Sequence, residues 1–419
     1  MSMATTNPKP QPLQPPSLKP RVSFAAMVIR DVVARNGAKI GLIWIAIVAL
    51  LGIFAPLIAS SDPLLVKTKA GDISSPWLKQ LNATDVTLML MTPVAIIAYF
   101  LKRFTIGGRI ATVLSIGFVV MVISSITISP PARLEFNAYN RYRLLEAEGE
   151  VEWMWTAPIP YSPNDRLVEQ NAEDVRAKPP SAGHWLGTES NKSSVASRLI
   201  HGCRIALTIG FVSTGIAVTI GIVIGGVMGY FAGKADLLGM RIVEVFEAIP
   251  QLYLLLTFVA FFPDNPVIFG VTIQRIYLIM IIIGLTSWTG YARYIRAEFF
   301  KLRKQDFVQS AIACGLPLRS ILFKHMLPNG IAPVLVGASF GVGSAIIYES
   351  TLSYLGIGLI EEPSWGGLLK QAVGDAGKFA WWIATFPGLA IFLTVFSYNL
   401  IGEALRDAID PHTQRLNKG

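Results

Sequence analysis

Eight apolar runs dominate this sequence, and most approach or exceed the roughly 20 residues a helix needs to cross about 30 Å of hydrocarbon. They lie near residues 40–59, 86–101, 110–128, 205–231, 242–262, 276–290, 331–347 and 381–401. The second is the weakest, being short and carrying Pro93 inside it. The pattern predicts an all-α, polytopic membrane protein of about eight transmembrane helices. Composition agrees. Of the 419 residues 52% are hydrophobic and 15% charged, where a soluble domain carries about a quarter charged residues. The net charge of +9 sits in short loops and tails, as membrane topology demands, and does not point to nucleic acid.

Lys and Arg in short loops orient the chain. The N-terminal tail holds Lys9, Lys19, Arg21, Arg30 and Arg35, and the turn after the second run holds Lys102, Arg103 and Arg109. Arg293, Arg296, Lys301, Arg303, Lys304, Arg319 and Lys324 lie between the sixth and seventh runs. All three regions fall on one side if both termini are cytoplasmic. The expected organisation is a disordered tail over 1–38, with six prolines in 7–20, and N-terminal spans over 39–129. An external loop over 130–203, a core over 204–402 and a cytoplasmic tail over 403–419 complete it. Trp153 and Trp155 in the external loop read as interface anchors or as packing residues. Cys203 and Cys314 fall on opposite faces, which excludes a bridge between them. His184, His201, His325 and His412 show no metal-ligand spacing, so no metal site is expected. No cleavable signal peptide is visible, since the first 38 residues lack an apolar region.

The most informative polar interruption is 298–329. Phe299, Phe300, Leu302, Phe307, Val308, Ala311 and Ile312 recur roughly at helical period. Gly315 suits the end of that helix and Pro317 the start of another, which Pro328 stops. This predicts a short amphipathic helical hairpin on the cytoplasmic side, whose apolar faces need a partner.

The run from Asp306 through Gln309, Ala311 and Gly315 to Leu327 and Pro328 resembles the EAA loop of ABC-importer permeases. It departs from that pattern at Gln309, Ser310 and His325. Three further segments resemble the oligopeptide/dipeptide/nickel importer family of such permeases. They are His184-Trp185-Leu186-Gly187-Thr188 with Ser197 to Arg204, then Arg241 and Glu244 with Ala248-Ile249-Pro250, and lastly Glu349, Leu352 to Gly358 and Pro363-Ser364-Trp365-Gly366. The resemblance covers about 184–410 in the family's order. After Thr188, however, Glu189-Ser190-Asn191-Lys192-Ser193 replaces the family's Asp-x-x-Gly-Arg-Asp.

The resemblance implies a five-helix type I importer core in a bacterial inner membrane, here preceded by two more spans than the family usually has. It also implies that Asp306, Gln309, Ala311, Gly315, Leu327 and Pro328 couple to separate ATPase subunits. The implied partners are two ABC ATPase subunits carrying ATP and Mg, a homologous second permease, an external solute-binding protein and membrane lipid. Peptide is the implied cargo, with a nickel complex or another solute as the alternative. An ion-coupled secondary transporter is the competing class, and a membrane-embedded enzyme finds no catalytic cluster to support it.

No Gly-x-x-x-x-Gly-Lys-Ser/Thr phosphate loop is present, so the chain is expected to bind no cofactor and to have no ATPase site of its own. Ionisable residues in or near spans usually face protein or water. Glu244 is placed to pair with Arg241. Glu247 either lines a pathway or sits at the cytoplasmic interface, and Pro250 breaks its span. Glu349 either hydrogen-bonds between helices or lines the pathway. Gly221, Gly225, Gly229 and Gly233 form a small-residue face suited to close helix packing or to a sliding gate.

Overall fold

The computed structural model describes residues 24–69, 71–100, 106–128, 138–165, 177–190, 193–263, 265–268, 270–359, 362–373 and 379–409. The proline-rich segment 7–20 and the loop cations Lys102 and Arg103 lie outside them. In chain order come α1 (Phe24–Ala34), α2 (Asn36–Ile53), β1 (Leu65–Thr68), β2 (Ile73–Ser74), α3 (Ala83–Phe100), α4 (Ile106–Thr127) and β3 (Val151–Trp155). The core follows as α5 (Val195–Phe231), α6 (Gly233–Ala248), α7 (Gln251–Phe261), α8 (Arg275–Thr286) and α9 (Thr289–Leu302). It ends with α10 (Asp306–Ala313), α11 (Ala332–Tyr354), α12 (Trp365–Gln371) and α13 (Trp381–Ile409). Among the described residues, 6 helices are long and apolar enough to cross a membrane, and two bent pairs bring the number to as many as 8. The multi-span, all-helical class expected from the apolar runs is the class observed.

Helix α5 is the axis. Its 37 residues extend about 55 Å at 1.5 Å per residue, well beyond the hydrocarbon thickness. Its first turn packs beside Ala59, Ile159 and Tyr161, near the antiparallel sheet of order β2-β1-β3. Its last turns reach the cluster that holds the 306–330 hairpin. These two ends are called the sheet end and the hairpin end below. The expected start at 205 is therefore late: the polar turns carrying Ser197 and Arg198 are helical and buried at the sheet end. There Arg198 Nη1 donates to Glu189 Oε1 at 2.7 Å, with Glu189 fully buried. Burial pushes the Glu189 carboxyl up from its ordinary range, and the Arg198 guanidinium opposes that shift. Trp153 and Trp155 are exposed on β3.

Several other boundaries also depart from the apolar pattern. The tail expected to be disordered over 1–38 is helical in α1. Val28 and Val32, four residues apart, pack on Ala404 and Ala408, and Arg35 pairs with Asp407. The same contact keeps α13 helical to Ile409, inside the segment 403–419 expected to be tail. The first span stops at Ile53, and Pro56 opens a new short helix at Ala55–Ile58. The run expected as one span over 242–262 is bent by 82° between α6 and α7. Proline disfavours helical geometry in the residue before it, and Ile249 is accordingly extended at φ −96° and ψ 125°. A second break, bent by 41°, separates α8 from α9. Ser287 there donates its hydroxyl back to the Ile283 carbonyl at 2.7 Å, a bond that bends helices.

The two added spans, α3 and α4, pack on each other, and only 11% and 6% of their apolar windows are buried. An ion pair at the sheet end ties them to the core. Asp85 Oδ1 accepts from Arg204 of α5 at 2.5 Å while Oδ2 accepts the Asn82 backbone N–H at 2.8 Å. Asp85 is buried, so removing it leaves the Arg204 guanidinium without that partner. Breaking one side of a buried pair costs about 3–5 kcal/mol, whereas replacing both sides with apolar groups is close to neutral. Asp85→Ala is expected to lower thermal stability in detergent and to make α3 and α4 cleavable by protease. Asp85→Leu combined with Arg204→Met should recover most of the loss, and equal losses in both variants would remove this tether.

Candidate functional site

The two helix breaks border one cavity of about 360 Å³. Gln251, the first residue of α7, donates through Nε2 to Ser287 Oγ at 2.6 Å, joining one break to the other. Its Oε1 accepts from Tyr348 Oη of α11 at 2.9 Å. Three membrane segments thus meet in one polar relay. Ser213 and Thr214 on α5 also belong to the lining, both buried, and neither hydroxyl has a hydrogen-bond partner among the described residues. Tyr291, Tyr294 and Phe340 supply aromatic walls. Irregular backbone inside a bilayer is tolerated where it is buried in protein or lines a water-filled space. The breaks and the polar wall describe such a space.

Of the acidic residues singled out in the sequence, Glu247 lines this cavity and Glu349 is not among its lining residues. Glu247 lies near the end of α6, just before the break, and is ion-paired with Arg293 of α9. A second pair, Asp236 with Arg296, holds α6 to α9 nearer its start. Glu244 pairs with Arg241 at 2.6 Å on the exposed face of α6. Pro250 is exposed and acts through the bend, placing Gln251 in the relay. Glu349 is 1% exposed and is held by hydroxyls: Ser353 Oγ donates to Oε1 at 2.7 Å. Ser353 also accepts the Leu359 N–H at 3.2 Å, and Gly366 packs against the Ser350 backbone, so Glu349 belongs to the seat of α12. Sequence reasoning missed Gln251, Ser287, Ser213, Thr214 and Tyr348. For Gln251 a signal existed, since it is polar and directly follows Pro250.

At the hairpin end, the helix expected from Phe299 to Ile312 is interrupted after Leu302. Gln305 is extended, and α10 starts afresh at Asp306. Gln309 Nε2 donates to the Arg303 carbonyl at 2.7 Å, closing that turn. Helix α10 ends in a Schellman motif: Leu316 N–H donates to Ala311 O at 3.2 Å and Gly315 N–H to Ile312 O at 2.9 Å. Gly315 takes φ +70°, a conformation glycine adopts without penalty. The return limb contains a π-helix over Ile321–Met326, where Leu327 N–H donates to Leu322 O. The wider register suits Pro328, whose ring would clash with the carbonyl four residues back.

One face of the hairpin is built into the bundle. Val308, Ala311, Ile321 and Met326 share a buried cluster with Ile295 and Phe299 of α9, Ala217 of α5 and Val334 of α11. The other face is open, with Phe307, Ile312, Leu316 and Leu318 exposed beside Asp306 and Pro328. Leu327 is half-buried. Tyr291 and Ala217 belong both to this cluster and to the cavity wall.

A many-span protein with a polar cavity at broken helices and a hairpin open on one face belongs to the membrane transport class. Residues 221–415 match the family model of binding-protein-dependent transport system inner membrane components. The chain is 36% identical to the oligopeptide transport system permease protein OppC of Haemophilus influenzae over 61% of its own length and 78% of the relative's. It is 34% identical to the dipeptide transport system permease protein DppC of Alkalihalophilus pseudofirmus, over 56% and 74%. It is 36% identical to the glutathione transport system permease protein GsiD of Pectobacterium atrosepticum, over 55% and 74%. The chain belongs to this family, the permease subunits of binding-protein-dependent ABC importers.

Proposed function

We propose that this permease carries peptides inward across a bacterial inner membrane, driven by separate ATPase subunits that dock on the hairpin 306–330. The supporting observation is the continuity of one buried cluster from Val308 and Ala311 of the hairpin to Ala217 and Tyr291 of the cavity wall. Force applied at the open face has a packed route to the cavity. Asp306, Gln309, Ala311, Gly315, Leu327 and Pro328 shape the docking element, Gln309 by bracing its turn and Ala311 by packing it. Glu247 lines the cavity, and Pro250 bends the chain so that Gln251 reaches it. The assembly takes two ATPase subunits with ATP and Mg, a homologous second permease and an external solute-binding protein. This chain has no ATPase site of its own. Both termini and the hairpin lie in the cytoplasm.

The native cysteines provide a test. Cys314 is exposed on the hairpin and Cys203 is buried. An impermeant maleimide should label Cys314 in inside-out vesicles and not in intact cells, and added ATPase subunits should protect it. Labelling from the exterior of intact cells would overturn the orientation. Unchanged labelling with the ATPase bound would overturn the docking face.

A further inference from the structure

The cavity offers an unusual combination for a space between membrane helices. Glu247 is its single formally charged lining residue among those described. Tyr291, Tyr294 and Phe340 line the same cavity, and aromatic ring faces attract cations. Gln251, Ser287 and Tyr348 add amide and hydroxyl groups to the same lining. Acid, aromatic faces and this polar lining together match a molecule with an ammonium at one end and amides behind it.

Glu247 is bound to Arg293, but that pair is half-exposed, with side-chain exposures of 34% for Glu247 and 47% for Arg293. Pairs this exposed contribute little and open readily. Arg293 is not among the residues lining the cavity, so the carboxylate can turn from the guanidinium toward the lumen while the cation stays at the rim.

We infer that Glu247 is an ammonium-binding residue of the translocation pathway, exchanging Arg293 for the free α-amino group of a passing peptide whose amides meet the polar lining of the same cavity. The inference rests on the assignment of this cavity to peptide passage. It makes the pathway itself selective for a free amino terminus, separately from any selection by the external binding protein.

The test uses the complete importer in proteoliposomes, with labelled trialanine presented on its binding protein. Glu247→Gln, which keeps shape and removes charge, should lower the uptake rate at least tenfold. Glu247→Asp should restore a substantial part of it. Arg293→Gln removes the competitor and should transport at least as fast as wild type. A simple latch between α6 and α9 would instead make Glu247→Gln and Arg293→Gln equally defective, and that result overturns the inference. Full uptake by Glu247→Gln overturns it as well. Wild-type assemblies that hydrolyse ATP but import no peptide would overturn the peptide assignment, a failure seen in a different arm from the other two.

Discussion

Gly315→Arg is expected to reduce ATP-driven uptake to background while the subunit still inserts and can be extracted intact. Gly315 sits at φ +70°, and a Cβ there would meet nothing within 4 Å, so backbone geometry rather than space is the constraint. Forcing an L-residue into the left-handed region costs roughly 1–2 kcal/mol. On its own that shifts the local loop equilibrium by roughly 5–30-fold. Gly315→Ala should therefore weaken uptake partially. Arginine adds a charge beside exposed Ile312, Leu316 and Leu318, on the face that the ATPase is proposed to cover. Driving a two-state channel from about 1:99 to 99:1 takes on the order of 5.5 kcal/mol of differential binding, and a lost docking contact cannot supply it. The checks are peptide uptake in vesicles and recovery of ATPase subunits with the tagged chain. Undiminished uptake by Gly315→Arg would end the case for the hairpin as the coupling element.

The parts of this molecule legible in its sequence are those set by single-residue physics. Long apolar runs gave spans, Pro250 marked a break, and Gly315 followed by Pro317 marked the hairpin tip. The second break was hidden because Ser287 and Trp288 carry no breaker signature, and the bend arises from a hydroxyl turned onto its own helix. Helix α1 was hidden for a different reason. Its short apolar stripe is unremarkable until Ala404 and Ala408 of α13 stand opposite it, a contact made across most of the chain. Glu349 shows the limit most plainly. An acid in a span reads as functional on cost alone, yet here Ser350 and Ser353 satisfy it locally. Sequence displays the charge but not the hydroxyls that surround it.

Gly225→Leu is expected to cause the largest loss of stability of any single change in the core. Along α5, Gly221, Gly225 and Gly229 lie against α9 with no side chain between the two backbones. A Cβ on Gly221 would fall 2.5 Å from Tyr291 Cβ, and one on Gly229 would fall 2.6 Å from Phe299 Cβ. At Gly225 it would strike the Ala292 carbonyl, with Ala292 Cα 2.8 Å away. Gly233 does not continue the stripe: it has φ +52° and open space around it, and marks the turn into α6. Obstacles made of backbone cannot yield by changing rotamer, so α5 and α9 must separate. Overpacking usually costs about 1–3 kcal/mol. In lipid no hydrophobic drive pulls separated helices together, and the close approach is itself the source of attraction. Helix α9 carries Tyr291 and Tyr294, so separation also opens the cavity wall. Gly215 lies on the exposed face of the same helix with nothing within 4 Å of a Cβ, which makes Gly215→Leu the control. Thermal denaturation in detergent should show Gly225→Leu well below wild type and Gly215→Leu close to it. If the two variants melt together, the glycine face is not what clamps α5 to α9. A Gly225→Ala protein that melts near wild type yet transports nothing would instead make the face a sliding surface.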